Sequence, residues 1–159
     1  MSSTDIIVYT DGSFSKGKNK LHCGYGIHFP NKELKDIGKP FIHEPLTNQR
    51  AELYAIYKAL KKITENLKFK TITIYSDSEY SIKSVTKWIK DWKKNGWMTA
   101  NNKPVSNQDI IRRIDKILMK YPKHIEFIHV RSHTGKTDKH SIGNDKADEL
   151  AKNGALQNK

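Results

Sequence analysis

The sequence is short of cysteine, of acid and of long apolar runs, and each shortage closes off a class of protein. Cys23 is the single cysteine among 159 residues, so no intrachain disulfide can form and a zinc site built from a cysteine cluster is excluded. Nothing in that usage points to an oxidising compartment. Residues 1–5 lack the apolar core of a signal peptide, and no run is long enough to span a bilayer. The expectation is an intracellular protein without membrane contact, cytoplasmic if its source is prokaryotic. No linker, repeat or low-complexity stretch interrupts the chain, so residues 1–159 are expected to form one domain. Acid is outnumbered, with 17 Asp and Glu against 29 Lys and Arg, a formal net charge of +12. Such an excess argues for a polyanionic partner, of which nucleic acid is the commonest. A merely soluble surface would give the same count.

What is present begins with Ile6-Ile7-Val8-Tyr9-Thr10-Asp11-Gly12-Ser13-Phe14. An unbroken β-branched and aromatic run predicts a central strand buried on both faces, running out at Asp11. Asp-Gly is a strong turn dipeptide, so Asp11 reads either as a turn residue or as a metal ligand. Two further strands are predicted over residues 23–29 and, more weakly, 34–42, where Gly38 and Pro40 suggest an edge. Three strands on short turns make an antiparallel meander. Thr47 opens a helix with Leu53, Ile56, Tyr57, Leu60 and Ile63 at helical spacing. Residues 71–76 form a strand ending at Asp77, a helix follows from Ser78, and a Trp- and Lys-rich segment runs to Trp97. A helix carrying Ile110, Ile111 and Ile114, a strand over residues 124–130 and a short helix from Asn144 to about Ala155 complete the chain. The order predicts an α/β fold, a mixed sheet with helical crossovers.

Four acids stand out by position. Asp11 and Asp77 each end a buried strand, and Asp77 reads equally well as the cap of the next helix. Glu52 lies one turn before Ile56, so it projects from the apolar stripe of its helix; a carboxylate aimed at a core edge needs a partner or a metal. Near the end of the chain, Asn144 reads as an N-cap and Asp145 as a first-turn acid favoured by the helix dipole. That leaves Asp148, between Ala147 and Ala151, as the better ligand. Clustered carboxylates without cysteine or a helical His pair favour Mg²⁺ or Mn²⁺, and unbalanced they would raise one another's pKa. An acidic pocket in a basic protein suggests two-metal phosphodiester hydrolysis, one ion activating water and the other stabilising the leaving oxygen. His133, in a polar loop after a strand, is a candidate acid/base. Lys83, Lys87, Lys90 and Lys94 would align on one face of a continuous helix, suiting a phosphate backbone or simply facing solvent. Trp88, Trp92 and Trp97 can stack bases, but Val85, Trp88 and Trp92 also form an apolar stripe, which favours packing.

Tyr9-Thr10-Asp11-Gly12-Ser13, Thr47-Asn48-Gln49-Arg50-Ala51-Glu52, Tyr75-Ser76-Asp77-Ser78 and the stretch from Gly143 to Ala151 resemble, in that order, the motifs of type 1 ribonucleases H. The likeness covers nearly the whole chain. It implies the ribonuclease H-like fold, a five-stranded mixed sheet of three antiparallel and then parallel strands with helices on both faces. It implies a catalytic and metal-binding set of Asp11, Glu52, Asp77 and Asp148, two Mg²⁺ ions with Mn²⁺ as substitute, and cleavage of the RNA strand of an RNA–DNA hybrid to 3′-hydroxyl and 5′-phosphate ends. His133, within Val130-Arg131-Ser132-His133-Thr134-Gly135, resembles the family's mobile histidine, which aids proton transfer or product release. Thr47 and Asn107 match positions that hold a DNA phosphate, although Thr47 is also a natural N-cap. Asn48 and Gln49 match minor-groove contacts, where 2′-hydroxyls separate RNA from DNA. The segment with Trp88 and the four lysines resembles the basic handle that grips the DNA strand. A monomer without a separate hybrid-binding domain is expected. The chain departs from the family's commonest pattern in a longer stretch between His133 and Asp148, a lysine-rich turn after Asp11, and Glu79 where many relatives are neutral. Two competing readings remain, a catalytically silent hybrid-binding module and a transposase- or integrase-like strand transferase. Four intact acids argue against the first; the fourth acid, the handle and the Thr-Asn-Gln motif argue against the second.

Overall fold

The structure, a computed structural model, describes residues 4–131 and 138–157. Strand β1 (Thr4–Lys16) runs through the middle of a single sheet. It pairs antiparallel with β2 (Leu21–His28), which pairs with the short edge strand β3 (Ile37–Pro40). On its other side β1 pairs parallel with β4 (Phe69–Ser76), and β4 parallel with β5 (Ile125–His129). The order β3-β2-β1-β4-β5 is the expected antiparallel meander continued by parallel strands. Between them lie α1 (Asn48–Asn66), α2 (Glu79–Lys83), a π-turn over Ser84–Trp88, α3 (Ile89–Lys94), α4 (Gln108–Lys120) and, last, α5 (Lys139–Gln157).

Alternation along β1 sorts its side chains between two helical layers. Ile6 and Val8, with their register partners Ile72 and Ile74, are buried with Leu53, Ile56, Leu60 and Ile63 of α1 and Ile110, Ile111 and Ile114 of α4. Each such aliphatic side chain contributes about 1.5–3 kcal/mol by leaving water. On the opposite face α5 comes in with Gly143, Ala147, Ala151, Gly154 and Ala155 buried. Gly26 permits that approach: a Cβ there would lie 2.2 Å from the Ala147 carbonyl oxygen and 2.6 Å from the Ala151 nitrogen. The glycines of β2 thus mark backbone contact with a helix.

Several expected boundaries move. The Asp11-Gly12 pair is no turn, because β1 stays paired with β2 from Gly12↔Tyr25 to Lys16↔Leu21; cross-strand pairing overrides the local preference. The reversal comes over residues 17–20, where the Gly17 N–H donates to the Lys20 carbonyl at 2.7 Å. The third strand is confined to Ile37–Pro40. The last helix starts at Lys139, because Asp138 takes the capping role, its Oδ1 accepting from the N–H groups of His140 (3.1 Å) and Ser141 (2.9 Å). Asn144 is therefore buried inside the helix, and Asp145 faces solvent beyond the first turn. Most of the lengthened stretch before Asp148 is helix. Residues 79–94 are helical throughout, though the π-turn replaces the regular α-helical register that the lysine alignment assumed.

Because α5 lies directly on β2, the variant Gly26→Ala is expected to lose about 1–3 kcal/mol of stability, read as a lower urea midpoint at unchanged m-value.

Candidate active site

The parallel pairing of β1 with β4 ends at Thr10↔Ser76. Asp11 and Asp77 are the residues that follow this last pair, so the register itself sets them side by side. This is the carboxyl end of parallel strands, where open α/β sheets bind ligands. Ser78, not Asp77, caps α2, its Oγ accepting from the Ser81 N–H at 3.2 Å. Glu52 arrives from α1, which packs close because Gly12 has no side chain; a Cβ there would lie 2.5 Å from the Glu52 nitrogen. The Gly12 N–H donates to Asp11 Oδ1 at 2.9 Å and to Glu52 Oε1 at 3.0 Å. Carboxylate oxygens of Asp11, Glu52 and Asp77 all lie within 4.8 Å of one another. Asp148, half-buried on α5, stands beside this trio rather than in it, and Lys152 bridges to it at 3.0 Å.

Asp11 and Glu52 are 3% and 5% exposed. Burial pushes the Asp11 carboxyl far above the usual carboxylate range, and the charge of Glu52 adds to it, with smaller contributions from Asp77 and Asp148. Burial also raises Glu52; the hydrogen bond with Asp11 works against this, and the charge of Asp77 works with it. Without a cation the pair therefore retains a proton where isolated acids would have lost theirs. Glu52 Oε2 is buried and has no hydrogen-bond partner among the described residues. An orphaned buried oxygen within an all-oxygen, mutually repelling donor set fits a hard divalent cation.

The surface next to the trio is built by two helix N-termini. Thr47 Oγ1 accepts from the Arg50 N–H at 3.1 Å and caps α1, while Thr47, Asn48 and Gln49 are exposed. Arg50, only 4% exposed, makes a two-pronged ion pair with Asp109 at 2.8 and 2.9 Å, tying the start of α1 to the start of α4. Its guanidinium holds the Asp109 carboxyl below the ordinary range. Asn107 precedes α4 in a left-handed conformation (φ 64°), and its Nδ2 donates to Tyr80 Oη at 2.9 Å. Thr47 and Asn107 thus stand at two clamped helix starts, where N–H groups favour anions.

Of the lysine stripe, Lys87, Lys90 and Lys94 are exposed, whereas Lys83 is half-buried and paired with Glu79. That pairing offsets the extra acid at position 79. Trp88 lies between Tyr80 (5.9 Å) and Trp92 (6.0 Å), and Arg112 lies 4.5 Å from the centroid of Trp97. Trp92 and Trp97 pack against the core, which accounts for these two rings without substrate. His133 lies outside the described residues. Two features went unforeseen in the sequence. Arg50 carried a signal, since a cation in the first turn of a helix opposes the dipole and needs an acid. Buried Asn144, whose amide has no hydrogen-bond partner among the described residues, sits one turn before Asp148 and was masked by its reading as a cap.

A mixed five-stranded sheet with acids at the carboxyl end of its parallel strands, between helical layers, defines the ribonuclease H-like class. The ribonuclease H family profile matches residues 3–156. The chain is 41% identical over 145 residues to a probable ribonuclease H of Acanthamoeba polyphaga mimivirus, covering 90% of this chain and 62% of that protein. It is 41% identical over 152 residues to a ribonuclease H of Schizosaccharomyces pombe, covering 95% and 53%. The solution structure of the PFV RNase H domain superimposes with a TM-score of 0.80 at 28% identity, covering 98% of this chain and 97% of that one. A foamy viral protease-reverse transcriptase in complex with RNA/DNA hybrid gives 0.79 at 28% identity, over 96% of this chain and 20% of that one. The chain belongs to the type 1 ribonuclease H family. It spans between half and two thirds of the mimiviral and yeast relatives.

The raised carboxyls set a pH dependence. A group whose pKa is higher folded than unfolded binds more protons in the native state, so its contribution to stability falls as pH rises above the unfolded value of about 4. The metal-free protein should therefore lose thermal stability from acid toward neutral pH through this pair, and Mg²⁺ should restore it at neutral pH but not at pH 4. Asp11→Asn removes the repulsion and is expected to raise metal-free stability at pH 7 by about 1–3 kcal/mol, measured by calorimetric melting in EDTA.

Proposed function

We propose that the chain hydrolyses the RNA strand of RNA–DNA hybrids with two divalent ions, Mg²⁺ or Mn²⁺ in its place, leaving 3′-hydroxyl and 5′-phosphate ends. The observation that carries this reading is the carboxylate oxygens of buried Asp11 and Glu52 and half-buried Asp77 within 4.8 Å of one another, beside the exposed side chains of Thr47, Asn48 and Gln49. Asp11, Glu52, Asp77 and Asp148 would hold the ions, with Asp11 the ligand shared between them, and Asp148 would give up its Lys152 partner to take part. When bound, such ions lower the pKa of an attacking water and neutralise the leaving oxygen. Thr47 and Asn107 hold a phosphate of the DNA strand, and Asn48 and Gln49 read the minor groove. Lys83, Lys87, Lys90, Lys94 and Trp88 form the flank that grips the DNA backbone, and His133 moves a proton or helps release product. No helix among the described residues is long and apolar enough to cross a membrane. The protein acts as a monomer, residues 1–159 forming one domain.

The test is cleavage of an end-labelled RNA–DNA hybrid in Mg²⁺ against EDTA, with duplex DNA and duplex RNA as controls. Cleavage of the hybrid's RNA strand alone is expected; no cleavage in Mg²⁺, or equal cleavage of duplex DNA, overturns the reading. Asp11→Asn should abolish cleavage while retaining hybrid binding. Replacing Lys87, Lys90 and Lys94 with Ala should weaken binding and flatten the dependence of log K on log salt by about 0.7–0.9 for each phosphate no longer neutralised.

A further inference from the structure

The first turn of α5 is fastened to β1, which carries Asp11, and to β4, which runs directly into Asp77. Tyr9 and Tyr75 are register partners on β1 and β4, each two residues before one of those acids. Their rings stack at 4.9 Å. His140, in the first turn of α5, lies 4.7 Å from the Tyr75 ring, and its Nδ1 shares a 2.9 Å hydrogen bond with Tyr9 Oη. One turn on, Gly143 rests on the Tyr9 ring so closely that a Cβ would lie 2.5 Å from it. The same helix carries Asp148, two turns beyond His140.

From this we infer that His140 is a positioning residue: bonded to Tyr9 and packed on Tyr75, it sets where Asp148 stands relative to Asp11 and Asp77. The inference rests on the proposed metal site. The trio is fixed by strand register and by the Gly12 N–H. Asp148 is the ligand that arrives on a separate layer, through small residues that slide easily over a glycine-lined strand, so an anchor near the helix start controls its depth along the sheet. A hydrogen bond has a direction that packing against glycine lacks, and His140 provides one at the level of Tyr9.

The test compares His140→Ala, His140→Gln, His140→Phe and Tyr9→Phe with the unaltered chain. Two quantities are read: Mg²⁺ binding by calorimetry on the protein without nucleic acid, and steady-state cleavage of the hybrid well below the melting temperature. His140→Ala should weaken Mg²⁺ binding and lower kcat by roughly tenfold each, the usual scale for groups that orient metal ligands, while KM for the hybrid stays within about twofold of the unaltered chain on the same scale. His140→Gln, which can still bond to Tyr9 Oη, should recover part of both, and Tyr9→Phe should match His140→Phe. A variant that melts lower but keeps Mg²⁺ affinity and kcat would show a role in stability only and overturn the inference. So would a change confined to KM. If the unaltered chain neither binds Mg²⁺ nor cleaves the hybrid, the functional reading falls and the inference with it; if it does both and His140→Ala matches it, the inference alone falls.

Discussion

Two carboxylates, Asp11 and Glu52, are held side by side where almost no water reaches them, and much of the surrounding structure makes that arrangement tolerable. Burying either charge is costly, and burying both together adds their repulsion. Among the described residues, the Gly12 N–H opposes this by donating to both acids. One neutral N–H cannot balance two charges and a third close by. The remaining imbalance is what a divalent cation bound here would relieve, and its binding energy would equally contribute to folding. A site of this kind places its strain where the ligand relieves it.

Gly12 serves this constraint twice. Its missing side chain lets α1 approach β1, and its N–H is the donor the acids share. Once α1 is that close, its N-terminus lies at the rim of the acidic site and needs to be held. Arg50 does so by reaching Asp109 on α4, which brings a second helix N-terminus to the same rim. Positive helix ends and exposed polar side chains therefore adjoin the acidic centre, and under the proposed function a phosphate backbone would meet the first while its scissile group would meet the second.

Much of this was legible in the sequence, for reasons that differ by residue. Strand β1 and helix α1 are long and strongly patterned, and a periodic pattern survives errors at its ends. Glu52 could be picked out because an acid on an apolar stripe must meet either a polar partner or a metal. Less legible was whatever depended on pairing between distant segments. Asp-Gly looked like a turn because turn preference is local, whereas the pairing of Gly12 with Tyr25 that overrides it is not. Asn144 looked like a cap because Asp138, the residue that caps α5, lay in what read as a polar loop. That one displaced boundary also hid His140, whose contacts with Tyr9 and Tyr75 exist only if the helix has already begun. The π-turn at Ser84–Trp88 left no mark that a helical wheel detects, since a lysine-rich face looks much the same through a single widened turn.

The four acids also differ in how they are held, and that difference bears on how the site assembles. Asp11 and Asp77 are placed by the pairing of adjacent strands, and Glu52 by a helix pressed against one of them. These three are fixed once the sheet and its first helical layer form. Asp148 belongs to the other layer, which packs through glycine and alanine, contacts that leave a helix free to shift along its axis more than interlocked large side chains would. Lys152, one turn on, is the cation that meets Asp148 within its own helix. A divalent ion shared between Asp148 and the trio would bind both layers to one sheet edge. Ion affinity and the seating of α5 are then one coupled equilibrium, and whatever fixes the start of that helix bears on both.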